Sequence, residues 1–129
     1  MTGRLEHLNV TVPDPDATAA RLSRLFGWQV RWSGASIHGG RSVHVGPSAT
    51  GAGYVALYRP AGGPGAAPDT YRTALGLNHL GVIVDDLDAA EARVLAEGLT
   101  PESHADYDPG RRFYFTDADG LEIEVVSYD

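Results

Sequence analysis

A chain of 129 residues, 43% of them hydrophobic, has the size and apolar content of one compact domain with an ordinary core. Its formal net charge of −7 argues against a nucleic-acid partner, because phosphate-binding surfaces need clustered Lys and Arg. There is no cysteine, which excludes disulfides and thiolate metal sites; any metal would be held by nitrogen and oxygen. No apolar signal region follows Met1, and no later stretch is long enough to cross a bilayer, so the expectation is a cytoplasmic protein with no membrane partner.

Taken in chain order, the sequence repeats itself. HLNVTVPDPDATAAR from His7 aligns without gaps on HLGVIVDDLDAAEAR from His79, at a constant offset of 72 residues (79 − 7 = 72). Each copy opens with alternating residues, which predicts a half-buried strand: Leu8, Val10 and Val12 share one face, and Leu80, Val82 and Val84 share its counterpart. An Asp-rich turn then starts a helix. Asp14 or Asp16 is placed to cap the first, and Asp88 the second, with Glu91 at capping-box spacing. Gly27 and Gly98 are expected to end these helices.

Strand-like runs follow at 29–32, 42–45 and 54–58 in the first half, and around Tyr114 and at 121–127 in the second. Asp119-Gly120 suits a hairpin turn between the last two strands. Residues 61–68 are rich in Gly, Pro and Ala and read as a flexible connection. The expected fold class is α+β: two βαβββ modules forming a curved mixed sheet around a cup, in a single domain 1–129. Module 1 covers about 4–60, the linker 61–77 and module 2 about 78–129.

Side chains alternate across a strand, so the face opposite the helix is readable. In the first strand it carries His7, Asn9 and Thr11, and in the matching strand His79, Gly81 and Ile83. The last strand buries Leu121, Ile123 and Val125 and turns Glu122, Glu124 and Val126 the other way; its counterpart turns out Tyr54, Ala56 and Tyr58. If two curved sheets wrap around one space, two His and at least one Glu converge there.

The HLNVTVPD and NHLGVIVDD openings, the FTDADGLEIEVV element and the paired modules resemble the vicinal oxygen chelate superfamily of glyoxalases, bleomycin-resistance proteins and extradiol dioxygenases. The resemblance covers nearly the whole chain. It implies a divalent metal, Fe²⁺, Mn²⁺, Zn²⁺ or Ni²⁺, held by His7, His79 and Glu124, with Glu124 also catalytic. The fourth place of the pattern falls on Ala56, which departs from the Glu, His or Gln of glyoxalase-like lyases and puts carboxylate-based proton transfer there in doubt. Two His and one carboxylate leave coordination positions open, as in non-haem Fe(II) oxygenases. The implied activity is extradiol-type oxygenation or a lyase or isomerase step on a small molecule with vicinal oxygens. The alternative is metal-free sequestration of an antibiotic or aromatic metabolite, as in the bleomycin-resistance relatives. A homodimer is implied under either.

Tyr54 and Tyr58 are expected to donate hydrogen bonds to a substrate oxygen or oxyanion, a catalytic role. Asn9, Trp32, His44, Tyr107, Arg112 and Tyr114 are the expected substrate-binding residues: Trp32 for stacking, His44 and Tyr107 as acid-base groups, and Arg112 as a carboxylate or phosphate clamp. Arg111 and Arg112 are adjacent, so in a strand one of them faces the surface. Glu122 is read as a solvated carboxylate and reserve ligand, and His38 and His104 as surface or packing residues. The glycines at 62–65 lack the Lys and context of a phosphate loop.

Overall fold

The computed structural model describes residues 1–128; Asp129, the last residue of the second expected module, lies outside them. The chain divides into two compact units, Met1–Gly65 and Ala66–Asp129, and each repeats one βαβββ order. Among the described residues no helix is long and apolar enough to cross a membrane.

The first unit contains β1 (His7–Thr11), α1 (Pro15–Phe26), β2 (Gln29–Ala35), β3 (Arg41–Gly46) and β4 (Tyr54–Arg59), with a 3₁₀ turn at Ile37–Gly39. Its sheet runs β1-β4-β3-β2, with β1 parallel to β4 and the other pairs antiparallel. Asp14 caps α1, its carboxylate accepting from Ala17 N at 3.2 Å, and Pro15 occupies the first turn, where a missing N–H costs nothing. Gly27 ends the helix at φ 69°, a left-handed conformation that favours glycine. Thr18, Ala19, Leu22 and Leu25, at helical spacing, bury one face of α1 against β2, β3 and β4. Val43, Val45, Val55 and Leu57 complete that core.

The second unit contains β5 (Leu80–Ile83), α2 (Leu87–Ala96), β6 (Glu102–Tyr107), β7 (Gly110–Thr116) and β8 (Glu122–Ser127). Its sheet runs β5-β8-β7-β6, again with the first pair parallel and the others antiparallel. Leu87, Ala90 and Val94 of α2 are buried, and Phe113, Phe115, Ile123 and Val125 are completely so. The turn from β7 to β8 closes through Asp117, whose side chain accepts from Asp119 N and Leu121 N, while Gly120 takes φ 90°.

Four details correct the sequence reading. The cap of α2 is Asp86, accepting from Ala89 N at 3.0 Å, and not Asp88. The 72-residue offset equates Asp86 with Asp14, so the same turn starts both helices, and Asp88 instead pairs with Arg111 at 3.0 Å. β6 was not located from sequence, since ESHADY shows no apolar alternation. Leu8, expected inside, is 40% exposed, because β1 is the sheet's edge strand and α1 lies chiefly over β2, β3 and β4. Val126, on the face opposite the helix, is nevertheless buried.

Candidate functional site

The helix-free face of each sheet carries one cluster of the expected site residues. In the first unit His7 is the opening residue of β1 and lies opposite Tyr54 in the parallel pairing; Asn9 lies opposite Ala56, and Ala56 opposite His44. The rings form a continuous aromatic surface. His7 stacks on Tyr54 at 5.1 Å between centroids, Tyr54 lies 4.9 Å from His44, and His44 lies 5.0 Å from Trp32, which is 49% exposed. His7 and His44 are themselves nearly parallel at 6.5 Å. Tyr58 stands apart: four residues along β4 from Tyr54, it donates to Ile37 O at 3.3 Å and closes the 3₁₀ turn.

Two residues of this cluster had no place in the sequence reading. Arg31 is the extra residue at the β2 register shift between Val30 and Trp32, so neither pairing nor alternation marks it. Its guanidinium sits 4.1 Å above the Tyr54 ring and donates to Gly51 O at 2.8 Å. Glu6 meets His7 Nδ1. The hydrogen bond with His7 holds the Glu6 carboxyl below its ordinary range, and burial followed by the Glu6 charge raises the Tyr54 phenol. Burial, reinforced by the charges of His7 and Arg31, lowers the His44 imidazole.

The second unit is built differently. His79, immediately before β5, and Glu124, on β8, meet with Nε2 3.1 Å from Oε1. The other carboxylate oxygen of Glu124 accepts from Arg112 Nη1 at 2.8 Å; these two side chains are only 13% and 10% exposed. Arg112 is held further by Tyr107 O and Gly110 O, and its guanidinium lies 4.3 Å above the Tyr107 ring. Tyr114 meets His79 edge-on at 5.7 Å, and burial followed by the Glu124 charge raises its phenol. The adjacent arginines do point opposite ways: Arg112 to this cluster, Arg111 to Asp88 on the helix side. Glu122 accepts the hydroxyl of Tyr71, a linker residue absent from the sequence reading. His104 is paired with Glu91.

Whether this donor set suits a metal is answered by His79. Asn78 Oδ1 lies 2.7 Å from Nδ1. An amide oxygen and a carboxylate oxygen both only accept, so a neutral ring can serve one of the two with its N–H, and a protonated ring serves both. The 3.1 Å between Nε2 and Oε1 is that of a hydrogen bond and also that of two atoms sharing one cation, since ligand atoms about 2.1 Å from one ion and at right angles to each other stand about 3.0 Å apart. His79 and Glu124 therefore fit as two ligands. Neither unit brings three together: among the described residues no group of three or more His, Asp or Glu is placed to hold an ion, and His7 belongs to the other unit.

Residues 6–115, most of both modules, match the Glyoxalase/Bleomycin resistance protein/Dioxygenase superfamily. The chain belongs to that superfamily. Solved structures share the superfamily fold over nearly the full length. A glyoxylase/bleomycin resistance protein/dioxygenase domain from Frankia has a TM-score of 0.81 at 22% identity, covering 98% of this chain and 93% of that one. A trypanothione-dependent glyoxalase I from Leishmania major has a TM-score of 0.76 at 17% identity, covering 98% and 88%. A variant of the fosfomycin resistance protein FosX from Listeria monocytogenes, complexed with Mn(II) and 1S,2S-dihydroxypropylphosphonic acid, has a TM-score of 0.73 at 20% identity, covering 100% and 95%. No curated protein matches the chain. At these identities the structures establish the fold of this superfamily member and not its substrate.

Proposed function

We propose that this superfamily member is a metal-dependent enzyme acting on a small molecule that chelates through vicinal oxygens. The observation that carries the reading is the approach of His79 Nε2 to Glu124 Oε1 at 3.1 Å, with the imidazole's other nitrogen committed to Asn78. In this reading His79 and Glu124 supply two ligands and His7 is the third, in a protein that acts as a homodimer. The Mn(II) in the FosX complex supports a divalent ion. When bound, such an ion polarises a chelated oxygen pair and stabilises an enolate or oxyanion.

The chain's own groups supply the rest. Arg112 holds one oxygen of Glu124, so a single oxygen is left for the ion or for a proton. The Tyr54 hydroxyl, on the ring that stacks against His7, is a donor suited to a developing oxyanion. Ala56 offers no fourth ligand, leaving coordination positions to the substrate and, in an oxygenation, to dioxygen. Oxygenation, lyase and isomerase chemistry all remain within this frame.

Metal content decides the reading. The purified protein reconstituted with Fe²⁺, Mn²⁺, Ni²⁺ or Zn²⁺ is expected to retain about one ion per chain, and His7→Ala, His79→Ala and Glu124→Ala to lose it while keeping native circular dichroism. Full metal retention in all three variants would overturn it.

A second reading rests on the first unit, where Trp32, His44, Tyr54 and His7 form an open stacking surface. Such a surface suits a flat aromatic ligand held without chemistry. Quenching of Trp fluorescence by an aromatic ligand that persists in chelator favours this reading.

A further inference from the structure

Arg31 reaches the aromatic surface of the first unit through the irregularity in β2. Neighbouring residues of a regular strand point to opposite faces. The register shift between Val30 and Trp32 breaks that rule: Arg31 lies over the Tyr54 ring at 4.1 Å, and Trp32, the next residue, lies 5.0 Å from His44. The indole is seated against Gly34, where a Cβ would stand 3.0 Å from Trp32 Cζ2, and it is still 49% exposed. The guanidinium is less well served. Nη2 donates to Gly51 O at 2.8 Å, whereas Nη1 is out of contact with solvent and has no hydrogen-bond partner among the described residues. The same side chain lines a cavity of about 450 Å³ with Arg4, Glu6 and Gly51, and the Glu6 carboxylate is already engaged by His7.

The geometry points to an anion-recognition site at Arg31, and so to an aromatic carboxylate as the class of ligand that the first unit takes. A charged donor without an acceptor is costly inside a protein, and a guanidinium meets a carboxylate through two parallel N–H donors. Nη1 makes no bond that has to break, so a turn of the guanidinium toward the cavity brings its free edge to an entering carboxylate. Arg4 adds a second positive charge to the cavity wall. The ring of such a ligand has Trp32 and His44 to stack on, while an ammonium group in the carboxylate's place would meet Arg31 as a like charge. The chain's net charge of −7 disfavours anions at long range, and Arg4 and Arg31 oppose that field locally. The inference rests on the stacking surface of the second reading and adds to it the sign of the ligand's charge.

The test is calorimetric titration of the whole chain, in chelator and near neutral pH, with 2-naphthoate and with its neutral isostere 2-naphthamide. The acid is expected to bind the wild type about tenfold more tightly, the scale of one charge-assisted contact. Arg31→Met should bring the acid down to the affinity of the amide while leaving the amide unchanged, and Trp32→Ala should weaken both. Equal affinities of acid and amide for the wild type overturn the inference and leave the stacking surface standing; this comparison needs no variant to fold. Binding of neither compound overturns the stacking surface and the inference together. An acid that keeps its advantage in a folded Arg31→Met variant is recognised by some other cation, and the assignment to Arg31 falls.

Discussion

Arg112 and Glu124 face each other diagonally across β7 and β8, with Nη1 and Oε2 2.8 Å apart and both side chains nearly out of contact with solvent. Each neutralises a charge that the other's removal would leave buried, so the pair is worth less as two separate contributions than as a unit. Glu124→Gln and Arg112→Met are each expected to lower Tm by several degrees. The double variant should fall clearly short of the sum, because neither stranded charge remains. Thermal melts of the four proteins in chelator give the coupling directly, and strictly additive losses would mean the two groups are independent.

The helix starts provide a sharper contrast between neighbours. Asp86 accepts from Ala89 N at the start of α2, whereas Asp88, two residues on within the first turn, faces Arg111 across exposed surface. Asp86→Ala is expected to cost about 1 kcal/mol, the usual loss on removing a cap, and Asp88→Ala much less. Denaturant midpoints at constant slope measure both. Equal losses would show that the ion pair and not the cap stabilises this end of the helix.

These two aspartates also show where the sequence was legible and where it was not. The repeat, the strand faces and both histidine positions follow from alternation and a constant offset, which are backbone periodicities. Asp86 and Asp88 compete for one role with identical chemistry, and only the backbone turn separates them. β6 has no apolar alternation because its outer side chains, Glu102, Ser103 and His104, are exposed. Arg31 falls at a bulge, where counting by two fails. Glu6 and Asn78 were visible as the first residues upstream of the duplicated segment, but they differ in type, and a search for identical residues passes over them. In the same way Ala56 was assigned to Glu124's place by pattern, and the registers Asn9 to Ala56 and Gly81 to Glu124 bear out that equivalence.

Tyr71 gives the pH prediction. Its hydroxyl donates to Glu122, and that bond, with burial and the carboxylate's charge behind it, pushes the phenol up to about 12 from an ordinary 10.0. The folded state thus favours the protonated phenol. The stability this contributes is complete below pH 10 and is lost as the pH rises from 10 toward 12. Glu122→Gln is expected to bring one tyrosine back toward 10 in a titration of phenolate absorbance, and Tyr71→Phe to remove the highest-titrating group. A titration curve identical in wild type and Glu122→Gln would exclude the bond in solution.

The turn between β6 and β7 links backbone packing to the carboxylate. A Cβ on Gly110 would collide with the Ser127 carbonyl oxygen and lie 2.9 Å from its carbon and 3.1 Å from Tyr128 Cα; all three are backbone atoms that cannot swing aside. Gly110→Ala must therefore push β7 away from β8 at this end. The Gly110 carbonyl moves with it, and that oxygen accepts from Arg112 Nε at 3.3 Å and Nη2 at 3.1 Å. Arg112 then loses part of its anchorage, and Glu124 the fixed partner of its second oxygen. The expected result is a Tm lowered by several degrees together with weaker Mn²⁺ binding, although Gly110 touches neither His79 nor Glu124. Gly81→Ala is the control: a Cβ there meets nothing within 4 Å, so it should leave the Tm nearly unchanged. Equal melting temperatures for Gly110→Ala and Gly81→Ala would show that β7 and β8 are not held as closely as the geometry requires.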